Sequence, residues 1–179
     1  LRASLDRLGL EQVDLLLIHW PLPGRDLYVD TWRTFERLRD EGLTRSIGVS
    51  NFKPAHLDRL ARETATVPAV NQVQLNPYVT REDHRRYHEA HGIVTVSYSP
   101  LGKGGELLRD PVVARVAAAH GRTPAQVVLR WHLQLGLVAI PKSSREERLR
   151  ENLDVYSFEL TAEEMASLSA LDRGGGVDA

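Results

Sequence analysis

The chain has 179 residues, of which 42% are hydrophobic and 26% charged, and a formal net charge of -1. That balance belongs to an ordinary globular protein with a sizeable core, and it offers no general attraction for nucleic acid or an anionic membrane. The sequence contains no cysteine, which excludes disulfides, thiol catalysis and cysteine metal sites.

The text opens at Leu1 with "LRASLDRLGL", which reads as a helix already under way. "VDLLLIH" (Val13 to His19) is an apolar strand, followed by a helix around Asp30 to Glu41 in which Trp32, Phe35 and Leu38 fall at i, i+3 and i+6. "TRSIGVSN" (Thr44 to Asn51) reads as a second strand. The helix after it opens at Pro54, where a first turn tolerates proline. "AVNQVQL" (Ala69 to Leu75) precedes a charged helix from Thr80 to His91, and "GIVTVSYSP" (Gly92 to Pro100) follows. Two more helical stretches come next, "DPVVARVAAAHG" and "TPAQVVLRWHLQLG", the second with Thr123 as N-cap and Pro124 in its first turn. "LVAIPK" (Leu137 to Lys142) leads into "SSREERLRENL" and a last helix, "TAEEMASLSAL".

Short β-branched runs with helices between them are the pattern of parallel β/α units, here five. They fit an open doubly wound sheet or an arc of a (β/α)8 barrel, and periodicity does not separate the two. A complete barrel takes roughly 250 residues and eight strands, so the barrel reading implies that about three units are absent. No linker divides the chain, which is expected to form one domain over 1–179 with a flexible tail at 172–179. No apolar run approaches the ~18 residues of a membrane span. No signal peptide opens the sequence, and a cytoplasmic location is expected.

In either architecture ligands bind beyond the carboxyl ends of the strands. Those ends carry His19 and Trp20; Ser50 and Asn51; Gln72, with Gln74 and Asn76 nearby; Tyr98 and Ser99; and Lys142, Ser143 and Ser144. A lone histidine after an apolar strand is usually a satisfied structural group, but five polar ends in succession point to a shared polar pocket. In "PKSSREERLRENL", Ser143 or Ser144 can cap a helix, with Glu146 or Glu147 completing a capping box. Arg148, Glu151 and Asn152 then share one helical face. A helix N-terminus with Lys142 beside it and Arg148 one turn in suits a phosphate; a solvated charged helix is the competing interpretation. There is no G-x-G-x-x-G and no G-x-x-x-x-G-K-[ST], so a nucleotide is not held in the Rossmann or P-loop manner. His84 and His88 have the i, i+4 spacing of a metal pair but no evident third ligand. They are expected on a solvated face, and no metal site is expected. Gly102, Gly104 and Gly105 read first as a flexible loop that could also approach a pyrophosphate.

Taken together, "LDRLGLEQVDLLLIHWP", "LRDEGLTRSIGVSNF", "PAVNQVQLNPY", "VSYSPLGKG" and "IPKSSREERLRENL" resemble the successive signatures of the aldo-keto reductases, in the family's order and over nearly the whole chain. Within that family "RDEGLTRSIGVSNF", "HGRTPAQVVLRWHLQ" and "ERLRENLDVYSFELT" are most similar to the bacterial 2,5-diketo-D-gluconate reductases. The resemblance implies a (β/α)8 barrel of which this chain holds the last five units, binding NADPH at its C-terminal face. It makes His19 the catalytic histidine that hydrogen-bonds the substrate carbonyl, and Trp20 a wall of the substrate pocket. Ser50, Asn51 and Gln72 match the residues that hold the nicotinamide carboxamide, and Tyr98 the aromatic that stacks on its ring. Lys142, Ser143 and Arg148 match the grip on the 2′-phosphate, and Glu151 and Asn152 the adenine-side contacts.

The resemblance also has gaps. The family's tetrad joins the histidine to an aspartate, a tyrosine and a lysine that come from strands preceding Leu1, and Tyr28, Tyr78, Tyr87, Tyr98 and Tyr156 all lie in other contexts. Asn76 stands where relatives often have histidine before "PY". The expectation is therefore a piece of an NADPH-dependent reductase of small aldehydes, ketones or keto sugars, inactive by itself and monomeric when full length. The alternatives are a non-catalytic NADPH-binding regulatory barrel and a truncated product with no activity.

Overall fold

The computed structural model describes residues 1–176. Its elements in chain order are α1 (Arg2–Leu8), β1 (Val13–Ile18), α2 (Tyr28–Asp40), β2 (Thr44–Ser50), α3 (Pro54–Glu63), β3 (Val70–Gln74), α4 (Glu82–Ala90), β4 (Val94–Tyr98), α5 (Pro111–His120), α6 (Pro124–Gln134), β5 (Val138–Ala139), α7 (Glu146–Leu153) and α8 (Ala162–Ser169). Helices follow every strand, as the sequence pattern predicts. The chain divides into two compact units, one of Leu1–Val73 with Asp83–Thr95 and one of Gln74–Glu82 with Val96–Gly176.

In the first unit β1 pairs in parallel with β2, from Val13 opposite Thr44 to Ile18 opposite Val49, and β2 with β3 through Val49–Asn71 and Ser50–Gln72. Parallel neighbours require crossover helices, and these supply the core. Tyr28, Val29 and Trp32 on one face of α2 and Leu57 and Leu60 of α3 are buried with Ile47, Val49 and Phe52. Trp32 is fully buried and its indole N–H is satisfied by the Thr66 carbonyl at 3.1 Å, as a desolvated donor requires. Gly48 sits where nothing larger fits: a Cβ there would lie 2.7 Å from Val70 Cγ2 and 2.9 Å from the Val70 carbonyl.

His88 corrects an expectation. It is fully buried, not on a solvated face: Nε2 lies 2.9 Å from Asn71 Nδ2 and Nδ1 2.9 Å from Thr95 Oγ1. Burial, and then the neighbouring His84 and His91, pull its pKa down to about 4. Among the described residues no group of three or more His, Cys, Asp or Glu is placed to hold a metal.

In the second unit β4 pairs in parallel with β5 through Val96–Val138 and Ser97–Ala139. Thr123 caps α6, as the sequence predicts, and Gln126 completes a capping box with it; Trp131 of α6 is fully buried with its indole N–H 3.0 Å from Ser169 Oγ of α8. The expected tail 172–179 starts with two anchored residues. Asp172 accepts from the Thr80 backbone N–H at 3.1 Å and from its hydroxyl at 2.9 Å. Arg173 pairs with Glu106 at 2.9 Å and lies 3.6 Å over the Tyr78 ring. Residues 177–179 of that tail lie outside the described residues. No helix among the described residues is long and apolar enough to cross a membrane.

Candidate functional site

In the first unit the strand tips bring four of the sequence-predicted residues together. β1 ends at Ile18 and releases His19, exposed, and Trp20, half-buried, with ring centroids 6.0 Å apart. β2 ends at Ser50, where the chain turns out of the sheet through Asn51 at φ 62°, a left-handed conformation that asparagine tolerates better than most residues. The Gln72 carbonyl accepts both the Ser50 hydroxyl at 2.7 Å and the Asn51 N–H at 2.9 Å. Asn51 Nδ2 donates to the His19 carbonyl at 3.1 Å and to Ser50 Oγ at 3.1 Å. Backbone and side chains of His19, Ser50, Asn51 and Gln72 thus form one hydrogen-bonded patch. The His19 imidazole and the Gln72 side-chain amide make no hydrogen bond to a described residue, so both keep their polar atoms for a ligand.

The second unit holds a cavity of about 640 Å³ whose polar lining is Lys103, Thr123, Lys142, Arg148, Glu151 and Asn152. Arg148, Glu151 and Asn152 do share one face of α7, as their i, i+3, i+4 spacing predicts. None of Lys103, Lys142 and Arg148 is engaged in an ion pair with a described residue. Three cations without ion-pair partners among the described residues, lining one cavity, suit an anionic ligand. The first residues of α6, Thr123 to Ala125, line the cavity as well and bring the positive end of its dipole.

The predicted serine cap on α7 does not form. Arg145, extended at φ -107° and ψ 123°, is the N-cap residue and gives no side-chain cap, so the helix starts at Glu146. Ser143 Oγ is spent on a local turn, accepting from the Arg145 N–H at 3.1 Å, a competing bond typical of serine. Glu146 does not reach back in a capping box but pairs with Arg150 at 2.7 Å. Ser143 and Tyr98 are both absent from the cavity lining, whereas Ser99, next to Tyr98, belongs to it.

Two features escaped sequence reasoning. Lys103 lines the cavity from a tight turn over Gly102–Gly104 in which it adopts φ 58°; the glycines signalled the turn but not its direction. Glu151 is tied across to α6, its carboxylate accepting the Thr123 hydroxyl. The spacing of an N-cap and a helix 28 residues later carries no signal for such a contact.

The chain belongs to the aldo/keto reductase family, which it matches over residues 1–173. It is 51% identical over 172 residues to an aldo-keto reductase of Mycolicibacterium smegmatis, covering 96% of this chain and 62% of that protein. It is 51% identical to 2,5-diketo-D-gluconic acid reductase B of a Corynebacterium species, covering 97% of this chain and 63% of the relative. Among solved structures, a Gox0644 mutant in complex with NADPH superposes with a TM-score of 0.95 at 46% identity, covering 99% of this chain and 65% of that one. The chain thus spans about 62% of the length of the curated relatives it matches first.

Proposed function

We propose that the chain is the larger part of an NADPH-dependent carbonyl reductase acting on small aldehydes, ketones or keto sugars, and that its five β/α units are the last five of a (β/α)8 barrel. The observation that carries the reading is the cavity whose Lys103, Lys142 and Arg148 have no counter-ion among the described residues. It supports a multiply charged ligand. Family membership and the NADPH named for a solved relative support a nicotinamide dinucleotide as that ligand.

In this reading Lys142 and Arg148 hold the 2′-phosphate by charge-assisted hydrogen bonds, with Ser143 contributing once its turn opens. Glu151, fixed by Thr123, and Asn152 face the adenine side, and Lys103 meets the pyrophosphate. Ser50, Asn51 and Gln72 orient the carboxamide, and Tyr98 packs against the ring. NADPH, when bound, supplies the hydride. His19 donates a hydrogen bond to the substrate carbonyl and steadies the charge that develops on its oxygen, and Trp20 walls the substrate. The 179 residues offer no match to the family's aspartate, tyrosine and lysine, so turnover is assigned to the full-length protein, a cytoplasmic monomer.

The test is a fluorescence titration with NADPH and with NADH, using the tryptophans as reporters, coupled to NADPH oxidation by the full-length protein with glyceraldehyde and with keto sugars. NADPH binding tighter than NADH, with carbonyl-dependent oxidation, is expected. Equal affinity for both cofactors would remove the 2′-phosphate assignment, and no binding of either would remove the reading.

A further inference from the structure

The left-handed turn at the tip of β2 is backed by a buried polar chain of Asn71, His88 and Thr95. Asn71, fully buried on β3, brackets the residue after the turn: its Oδ1 accepts the Phe52 N–H at 3.4 Å and its Nδ2 donates to the Phe52 carbonyl at 2.8 Å. This pairing fixes the amide orientation, because a flipped Asn71 would set two oxygens against each other and two donors against each other. The second N–H of Asn71 Nδ2 is then aimed at His88 Nε2, 2.9 Å away. Nε2 must accept, so the ring proton sits on Nδ1 and is donated to Thr95 Oγ1 at 2.9 Å. Asn71, His88 and Thr95 have relative exposures of 0%, 0% and 6%, so bulk water does not reach them.

We infer that His88, as the neutral Nδ1–H tautomer, is a positioning residue: acting through Asn71, it holds the Asn51–Phe52 turn in the conformation that presents Ser50, Asn51 and Gln72 to a ligand. Four hydrogen bonds from residues 71 and 72 pin residues 50 to 52, two through the Gln72 carbonyl and two through the Asn71 amide. Asn51 sits at positive φ, and the Asn71 bracket supplies two of the hydrogen bonds that hold the chain on leaving that turn. Removing the His88 acceptor leaves a buried N–H unpaired. The Asn71 amide is then held by the Phe52 bonds alone, and the turn is less sharply fixed. His88 itself touches no ligand in this account.

The inference rests on the proposed nicotinamide-binding role of Ser50, Asn51 and Gln72, and the experiment separates the two. In the full-length protein, NADPH and 2′-phospho-ADP-ribose, which lacks the nicotinamide, are titrated against wild type, His88→Leu and His88→Gln. His88→Leu should weaken NADPH about tenfold, the equivalent of one lost hydrogen bond, while 2′-phospho-ADP-ribose changes less than about twofold. Glutamine can accept from Asn71 and donate to Thr95, so His88→Gln should restore most of the loss. A parallel loss for both ligands, no loss for either, or no rescue by glutamine would overturn the positioning role. Wild type that binds 2′-phospho-ADP-ribose as tightly as NADPH would instead overturn the nicotinamide assignment beneath it. Because the leucine variant could fail to fold, 15N NMR of the wild-type imidazole gives a second reading near pH 7. A proton on Nδ1 and a bare Nε2 are expected, and the opposite tautomer overturns the inference with no variant required.

Discussion

Replacing Arg148 by alanine tests the phosphate grip directly. Arg148 lines the cavity beside Lys142 and spends no charge on a protein carboxylate, so its guanidinium is available to pair bidentately with a phosphate. Hydrogen bonds to charged groups contribute about 1.5–3 kcal/mol. Arg148 is exposed, and solvent screening pulls such a bond to the low end of that range, roughly 1.5 kcal/mol. The expected loss in NADPH affinity is therefore about tenfold, with Lys142 still in place to hold the remainder. NADH, which has a hydroxyl at that position, should lose less than about twofold, since no charged bond is removed. Tryptophan fluorescence titrations of both cofactors at low and high salt provide the assay, and the gap between wild type and variant should narrow as salt rises. Equal losses for the two cofactors, or a gap indifferent to salt, would refute the assignment of Arg148 to the 2′-phosphate.

Gly48→Ala should destabilise the first unit by about 1–3 kcal/mol, the usual cost of overpacking, because the new methyl meets the Val70 backbone carbonyl at 2.9 Å; the urea midpoint measures it. Thr123→Val should remove the α6 cap and cost about 1 kcal/mol, lowering Tm by roughly 2–4 °C for a chain of this size and freeing Glu151 from the Thr123 hydroxyl. Stability should also depend on His88. Its pKa is about 4 folded against about 6.5 unfolded, so above pH 6.5 neither state takes the proton. Between about 6.5 and 4 only the unfolded state does. Stability therefore falls as pH drops through that window, by up to ~3 kcal/mol. Denaturant midpoints at several pH values should show a shallower slope in His88→Gln, and an unchanged slope would rule out His88 as the source.

Local chemistry was the legible part of this sequence. Thr123 with Pro124 announces α6 because an N-cap and a first-turn proline are local signals, and the spacing of Arg148, Glu151 and Asn152 places them on one face whatever the helix packs against. The serines before α7 carried the same signal and failed, because Ser143 had a competing partner two residues on. His88 could not be read from its neighbours. The segment "EDHRRYHEA" is polar on every side, and the face that turns inward is selected by Asn71 and Thr95, which lie 17 and 7 residues away in sequence. The polar strand ends were visible as a set, yet the β2–β3 register that sets Ser50 beside Gln72 and the turn at Asn51 that follows were not.

The anchoring of Asp172 and Arg173 has a practical consequence for handling this protein. Arg173 bridges Tyr78 and Glu106, and Tyr78 in turn donates its hydroxyl to Asp110, the cap of α5. Trimming the chain back to Leu171 would discard a clasp that fastens the stretch Tyr78 to Thr80 to the stretch Glu106 to Asp110.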